Sequence, residues 1–182
     1  MFKKLNIIED KNKLIRKKSV DIELPISEED KKFALEMLEY VKESQKAEIQ
    51  EKYNVRAGVG LSAIQLGVNK KIVAIYFEDE DKTHEYLIAN PIVTSFSVKP
   101  SFLSTGEACL SVPKDIDGYV YRHNKITVKF YDILKDEERT EKLDGYLSIV
   151  FQHELDHLDG ILYYDRIDKK NPFKEVKGAV EI

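Results

Sequence analysis

The first amphipathic stretch of the chain covers residues 27–53. Apolar side chains recur there three and four positions apart as far as Val41, which places them on one face of a helix. Ser27 lies three residues before Asp30, a spacing that resembles a capping box at a helix start. Because the part beyond Val41 is nearly all polar, we predict one helix over 27–53 whose second half is solvated or frays.

A second stretch with helical spacing covers residues 144–159. Its apolar positions share one side of the predicted helix: Leu147, Val150, Phe151, Leu155 and Leu158. Asp144 stands at the N-cap position, and Gly160 stands where a chain commonly leaves a helix in a left-handed conformation. The pattern predicts the strongest helix of the chain here.

The remaining apolar runs are short, β-branched and bounded by turn residues, as is typical of strands. The predicted strands cover residues 71–77, 85–92, 95–103, 119–121, 125–132 and 139–143. Asn90 and Pro91 are expected to stop the second of them, because proline restricts the residue before it. Strands that precede a late helix favour an α+β fold with mainly antiparallel sheets around that helix. The lack of repeats and linkers predicts a single domain over residues 1–182.

Composition and charge narrow the class of protein. The 182 residues are 42% hydrophobic and 34% charged, which excludes collagen-like, low-complexity and wholly disordered proteins. The only cysteine, Cys109, cannot form an intramolecular disulfide, so a reducing compartment is favoured. The net charge of -4 argues against a protein that coats nucleic acid. No apolar run reaches the roughly 20 residues of a membrane helix. We therefore expect a cytoplasmic protein with no membrane and no sequence-specific nucleic-acid partner.

The strongest chemical signal is the sequence HELDH over residues 153–157, inside the second predicted helix. Its two imidazoles, four positions apart, lie on one face of a helix and can bind one metal ion. Glu154 borders the same face, where a carboxylate can take a proton from water that the metal ion holds. A chain of this composition contains such a pattern by chance roughly once in a hundred. The alternative is a solvent-facing helix with charged pairs.

A catalytic metal site normally has a third protein ligand. Gly160 fits the metalloprotease pattern with a third histidine, but the position ten residues after His153 is Tyr163, so that pattern fails. Glu175 is a candidate for a downstream carboxylate ligand, and Cys109 is the remaining soft ligand. A thiolate with two imidazoles leaves one coordination position open and suits zinc or ferrous iron. A lone cysteine is also commonly a small buried core residue.

A glycine-rich segment, GVGLSAIQ, covers residues 58–65. It lacks the endings of nucleotide-binding loops. Gly58 and Gly60 allow another group to approach the main chain closely, and Gln65 can donate to a developing oxyanion. Taken alone, the segment is better explained as a glycine turn before a short helix.

The segments GVGLSAIQ, EACLS and HELDH together resemble the three motifs of the peptide deformylase family, GxGxAAxQ, EGCLS and HExDH, in the same order. The resemblance covers nearly the whole chain, and YVYRHNKITV with the insertion before Arg56 is similar to the type 2 branch. It implies a metal-dependent hydrolase that removes the formyl group from the N-formylmethionine of newly made polypeptides, releasing formate. It also implies a ferrous ion that nickel, cobalt or zinc can replace, and a transient contact with the ribosome.

The resemblance implies a role for each matched residue. Glu154 is the implied catalytic carboxylate, Gln65 and the backbone N–H of Leu110 bind the oxyanion, and Gly60 faces the formyl group. The matched positions are, for the metal ion, Cys109, His153 and His157; for catalysis, Glu154, Gln65, Leu110 and Gly60; and for substrate binding, Val59, Ala108, Tyr146, Ile149 and Val150. The last three are expected to line the pocket for the methionine side chain.

Three positions depart from the family motifs. Ala108 replaces the glycine of EGCLS, and its methyl group is expected to narrow the path of the substrate peptide. That peptide is expected to pair with the segments at Val59 and Ala108 as an added strand. Ser62 replaces the first alanine of the AA pair, and Ile64 stands where proline or threonine is common. We expect both to affect packing rather than chemistry.

Two other functions stay open at this point. A zinc endopeptidase would use Glu175 or a similar group as third ligand, would not need Cys109, and would digest unblocked peptides. A non-catalytic metal-binding or ribosome-associated module would keep the fold but would not turn over formyl peptides. The intact HELDH sequence, Cys109 and Gln65 argue against lost chemistry.

Overall fold

Residues 2–80 and 82–182 are described by a computed structural model of the chain. They form an α+β fold, as predicted. The helices are α1 (Glu28–Ser44), α2 (Ala47–Tyr53) and α3 (Gly145–Leu158). The strands are β1 (Gly60–Ser62), β2 (Ile72–Glu78), β3 (Thr83–Phe96), β4 (Pro100–Phe102), β5 (Arg122–His123), β6 (Lys125–Asp132), β7 (Glu137–Asp144) and β8 (Val180–Glu181). Across the described ranges, none of the helices has both the length and the apolar character that crossing a bilayer requires.

Five strands form an antiparallel sheet in the order β1-β2-β3-β6-β7, and a smaller sheet has the order β5-β4-β8. Successive side chains of β2 point to opposite faces of the larger sheet. Ile72 and Ala74 pack in the core that contains α1, whereas Val73 and Ile75 pack in the core that contains α3. The sheet therefore lies between the two helices, which explains why β2 is apolar at nearly every position.

The prediction of one continuous helix over 27–53 is wrong, because two separate helices, α1 and α2, cover this stretch. The side-chain amide of Gln45, at the break, donates hydrogen bonds to the carbonyl oxygens of Gly58 (3.0 Å) and Tyr76 (2.7 Å). These contacts tie the end of α1 to the glycine-rich segment and to β2. The helix begins as predicted, since the side chain of Ser27 caps its first turn.

The predicted stop at Asn90 and Pro91 is wrong, because β3 continues past both residues. Asn90 adopts a left-handed conformation (φ 50°) at a bulge in the pairing with β6. Its side-chain amide pairs with both the N–H and the carbonyl oxygen of Ile22, each at 2.9 Å. The bulge accommodates Pro91, which has no N–H to donate, without ending the strand. The predicted strand over 95–103 divides between the end of β3 and β4, and the one over 119–121 is irregular chain before β5.

The helix that carries HELDH is fixed at both ends. Asp144 occupies the N-cap position of α3 as predicted, although its side chain makes no cap hydrogen bond. Gly160 follows the helix with a left-handed φ of 72°, and a Cβ there would lie 2.7 Å from the carbonyl carbon of Arg16. Glycine is therefore required where the helix end meets the N-terminal part of the chain.

The segment of residues 8–19 runs along two motif segments and the end of α3. Its main chain donates three hydrogen bonds: Ile8 N–H to Gln65 O (2.8 Å), Asp10 N–H to Ser111 O (2.8 Å) and Ser19 N–H to Leu158 O (2.7 Å). The segment therefore links the glycine-rich segment, the EACLS segment and the end of α3.

Candidate active site

The three predicted metal ligands meet at one point, although Cys109 precedes His157 by 48 residues. One ligand atom from each of Cys109, His153 and His157 lies within 4.8 Å of the other two. The Sγ of Cys109 lies 3.3 Å from Nε2 of His157, and the two imidazole rings are 5.0 Å apart on successive turns of α3. One sulfur and two nitrogens converging in this way fit a metal ion with three protein ligands and one open coordination position.

Glu107 fixes the orientation of the first histidine. Its Oε2 accepts a hydrogen bond from Nδ1 of His153 at 2.8 Å, which leaves Nε2 as the available ligand atom. Burial lowers the pKa of His153, but hydrogen bonds with Cys109 and Glu107 outweigh burial and raise the pKa well above its usual value. Burial, with the charge on His153, lowers the pKa of His157 well below its usual value. A proton on His153 and a metal ion would compete for the same lone pair.

A network of buried charges holds Glu107 in place. Arg122 donates to its two carboxylate oxygens at 2.6 and 2.9 Å. The same guanidinium donates to Asp156 at 2.9 Å, and Asp156 accepts two further hydrogen bonds from Arg166 at 2.5 and 2.6 Å. Burial raises the pKa of Glu107, but hydrogen bonds from Arg122 and His153 outweigh burial and hold the pKa at about 2. Glu107 is therefore ionised, and the network restrains the ring of His153.

Glu154 lies beside the cluster on the inner side of α3 and is 4% exposed. Gly60 of β1 packs directly against it, since an added Cβ would lie 2.7 Å from Cδ of Glu154 and 2.8 Å from Cγ. The hydroxyl of Ser62 donates to Oε2 of Glu154 at 2.6 Å. Burial raises the pKa of Glu154, and the charge on His153 and the hydrogen bond from Ser62 lower it only in part. A carboxylate of this kind can accept and return a proton.

The side-chain amide of Gln65 has a defined orientation. Its Oε1 accepts a hydrogen bond from the N–H of Ser62 at 2.8 Å, so its Nε2 faces the opposite way. Nε2 donates to Oγ of Ser111 at 3.1 Å and lies 3.6 Å from Sγ of Cys109. An amide donor therefore lies at the edge of the cluster, where it can donate to an oxyanion.

A cavity of about 490 Å³ opens at the cluster. Every residue predicted for the site lines this cavity except His157, which is 1% exposed. Tyr146, Ile149 and Val150 form an apolar wall from α3, and the chain around Val59 forms another part of the lining. The volume is in the range of small-ligand pockets. Glu175, the alternative third ligand, is exposed and does not belong to the cluster.

The residues that surround the ligands were given no role in the prediction from the sequence. Glu107 and Asp156 lie within the EACLS and HELDH segments, so their closeness to the ligands could have been noticed. Buried carboxylates need a cationic partner, and this rule could have prompted a search for one. No local pattern identifies Arg122 as that partner, and none identifies the contact between Ser62 and Glu154.

Comparisons with known proteins identify the family of this chain. The family model described as polypeptide deformylase matches residues 4–173. The chain is 45% identical over 169 residues to the peptide deformylase of Oceanobacillus iheyensis, covering 92% of each chain. It is 44% identical over 178 residues to peptide deformylase 2 of Bacillus subtilis, covering 97% of this chain and 96% of the relative. The crystal structure of peptide deformylase from Thermus thermophilus matches with a TM-score of 0.72 and 31% identity, covering 91% of this chain and 87% of that one. The chain therefore belongs to the polypeptide deformylase family.

Proposed function

We propose that this deformylase binds a ferrous ion through Cys109, His153 and His157 and uses Glu154 to transfer the proton during deformylation. The family removes the N-terminal formyl group of newly made polypeptides, and the chain is a hydrolase of this family. The observation that carries the proposal is the convergence of one sulfur and two imidazoles within 4.8 Å, beside a buried carboxylate.

The ligand set suits the proposed ion. A thiolate and two imidazoles bind ferrous iron, zinc, cobalt or nickel, and we propose ferrous iron in the cell with the other three able to replace it. When bound, such an ion acts as a Lewis acid and lowers the pKa of a water molecule toward neutrality. Glu107 supports this arrangement, since it keeps Nδ1 of His153 occupied and Nε2 available.

The proton and the developing charge are handled by the chain's own residues. Glu154 accepts a proton from water as the water oxygen adds to the formyl carbon. The same carboxyl group returns the proton to the amine nitrogen as the C–N bond breaks and formate leaves. Nε2 of Gln65 and the N–H of Leu110 donate to the formyl oxygen, where negative charge grows. Loss of one such donor typically raises the barrier by about 2.7–4 kcal/mol.

The cavity suits a formylmethionyl peptide. Tyr146, Ile149 and Val150 offer an apolar wall for the methionine side chain. The main chain of the substrate pairs with the segments at Val59 and Ala108 as an added strand. Gly60 follows Val59 in the chain and packs directly against Glu154, and both line the cavity, so a formyl group bound there lies near the carboxylate.

Glu154→Ala tests the proposed role of the carboxylate. We expect the variant to retain its metal ion and to lose at least about 10²-fold in turnover of formyl-Met-Ala-Ser, because general acid–base catalysis contributes about 10²–10⁴-fold. Formate release should be measured anaerobically, with metal analysis of the same sample. Glu175→Ala is the matched control and should keep both metal and activity. Near wild-type turnover in Glu154→Ala would refute the role of Glu154, and metal loss in Glu175→Ala would favour an endopeptidase.

We also propose that the chain acts in the cytoplasm as a single catalytic domain over residues 1–182, with a transient ribosome contact. The nature of its substrates supports this, because the formyl group is carried by newly made polypeptides. Lysines that offer a surface for anionic partners are Lys169, Lys170, Lys174 and Lys177. Co-sedimentation with ribosomes at low salt, lost at high salt, is the expected result. Equal recovery with and without ribosomes at low salt would refute the contact.

A further inference from the structure

Ser62 contacts both side chains to which we assign catalytic roles. Its N–H donates to Oε1 of Gln65 at 2.8 Å, and its hydroxyl donates to Oε2 of Glu154 at 2.6 Å. The residue is fully buried in β1, at 0% exposure, so water does not compete for either hydrogen bond. The family motif has alanine at this position, and an alanine would keep the first contact but not the second.

The hydroxyl favours the carboxylate over its other neighbour. A serine hydroxyl has one hydrogen to donate, and two oxygens of Glu154 lie near it: Oε2 at 2.6 Å and the main-chain oxygen at 3.0 Å. The contact with Oε2 is the shorter, and a hydrogen bond to an ionised carboxylate is roughly twice as strong as one between neutral groups. The proton of Ser62 therefore belongs to Oε2.

Two residues of β1 restrain Glu154. Ser62 holds Oε2, while Gly60, two positions earlier on the same strand, packs so closely that an added Cβ would meet Oε1, Cδ and Cγ. Both Gly60 and Glu154 line the cavity, and Oε1 is the carboxylate oxygen that lies beside Gly60. The two carboxylate oxygens thus have different surroundings: Oε2 is hydrogen-bonded to Ser62, and Oε1 is next to a glycine of the cavity lining.

We propose that Ser62 is a positioning residue, whose hydroxyl holds Glu154 in the orientation in which Oε1 exchanges the proton. This inference rests on the proposed role of Glu154. The alanine of the family motif offers no such donor, so the inference concerns a contact that the serine of this chain adds. Serine in place of alanine at position 62 therefore affects catalysis, whereas the sequence alone predicted an effect on packing only.

Ser62→Ala removes the hydroxyl and keeps Cβ, and the family motif indicates that the fold accommodates alanine here. We expect kcat for formyl-Met-Ala-Ser to fall about tenfold, which is about 1.4 kcal/mol of barrier, with KM and metal content unchanged. Ser62→Thr retains a hydroxyl and should restore most of the rate. Ser148→Ala is the matched control: Ser148 is also at 0% exposure, and its hydroxyl donates to the carbonyl oxygen of His123 at 3.0 Å. Its kcat should stay within twofold of wild type.

A second background tests whether Ser62 acts through Glu154. Glu154→Asp withdraws the carboxylate by one methylene group, so adding Ser62→Ala to it should change kcat by less than twofold. A Ser62→Ala enzyme with kcat within twofold of wild type would overturn the inference, as would an equal loss in both backgrounds. Glu154→Ala separates the two proposals. If it remains active, the role of Glu154 fails; if it is inactive while Ser62→Ala is fully active, only the inference about Ser62 fails.

Discussion

Replacing Gly60 with alanine inserts a methyl group against the side chain of Glu154. The new Cβ would lie 2.7 Å from Cδ and 2.8 Å from Cγ, whereas ordinary contact begins at 3.4 Å. The backbone of Gly60 is outside the left-handed region, so the effect of the substitution is steric rather than conformational. Displacing the side chain of Glu154 away from the new methyl group would disturb the hydrogen bond between its Oε2 and Ser62.

The size of the displacement sets the expected loss of rate. Restoring ordinary contact requires Cδ of Glu154 to move by about 0.7 Å. A misplacement of about 1 Å at a reacting group can cost about 10²-fold in rate. We therefore expect Gly60→Ala to lower kcat by about 10- to 100-fold. Overpacking of this kind also lowers the free energy of unfolding by about 1–3 kcal/mol.

The assay is formate release from formyl-Met-Ala-Ser, with metal content and thermal denaturation measured on the same samples. Gly58→Ala is the matched control from the same segment. Its added Cβ would lie 2.6 Å from Cδ1 of Leu110, the end of a flexible side chain that can rotate away. We expect that variant to stay within about fivefold of wild type in kcat. A fully active Gly60→Ala enzyme, or an equal loss in Gly58→Ala, would refute the steric argument.

Three further predictions concern the metal site and its support. Cys109→Ser replaces a soft thiolate with a poor ligand, so metal content after dialysis should fall; undiminished content would remove Cys109 from the site. Arg122→Met leaves Glu107 and Asp156 without their shared cation, and breaking a buried pair costs about 3–5 kcal/mol, so Tm should fall by about 6–20 °C. An unchanged Tm would contradict the network's role. Treatment with a chelator should abolish formate release, and added nickel or cobalt should restore it; chelator-resistant activity would argue against the metal.

The metal cluster shows which ligands can be predicted from local sequence patterns and which cannot. The helical repeat alone places His153 and His157 on one face, whatever the rest of the fold. No local rule brings Cys109 to that face, because it comes from a loop 48 residues before His157. Residue type alone made Cys109 a candidate beside Glu175, and the resemblance of the whole motif set to a known family selected it. The catalytic roles assigned through that resemblance stay predictions until the variants are measured.

The errors in the predicted elements lie where side chains bond to distant parts of the chain. The first helix ends at Gln45, whose side chain donates to two distant carbonyl oxygens, and β3 continues through Pro91 where Asn90 pairs with Ile22. Both side chains are ordinary in their local sequence. Periodicity reports which face of an element is apolar, but it contains no information about partners from other parts of the chain. The same limit hid Arg122, whose carboxylate partners come from two separate motifs.

The path of residues 8–19 couples parts of the enzyme that are distant in sequence. The main chain of this stretch is hydrogen-bonded to Gln65, to Ser111 of the EACLS motif and to Leu158 at the end of α3. The stretch itself does not line the cavity. Proteolytic cleavage within it would therefore weaken the positioning of three parts of the active site at once. Cleavage near the start of the chain would then lower activity although every catalytic side chain is still intact.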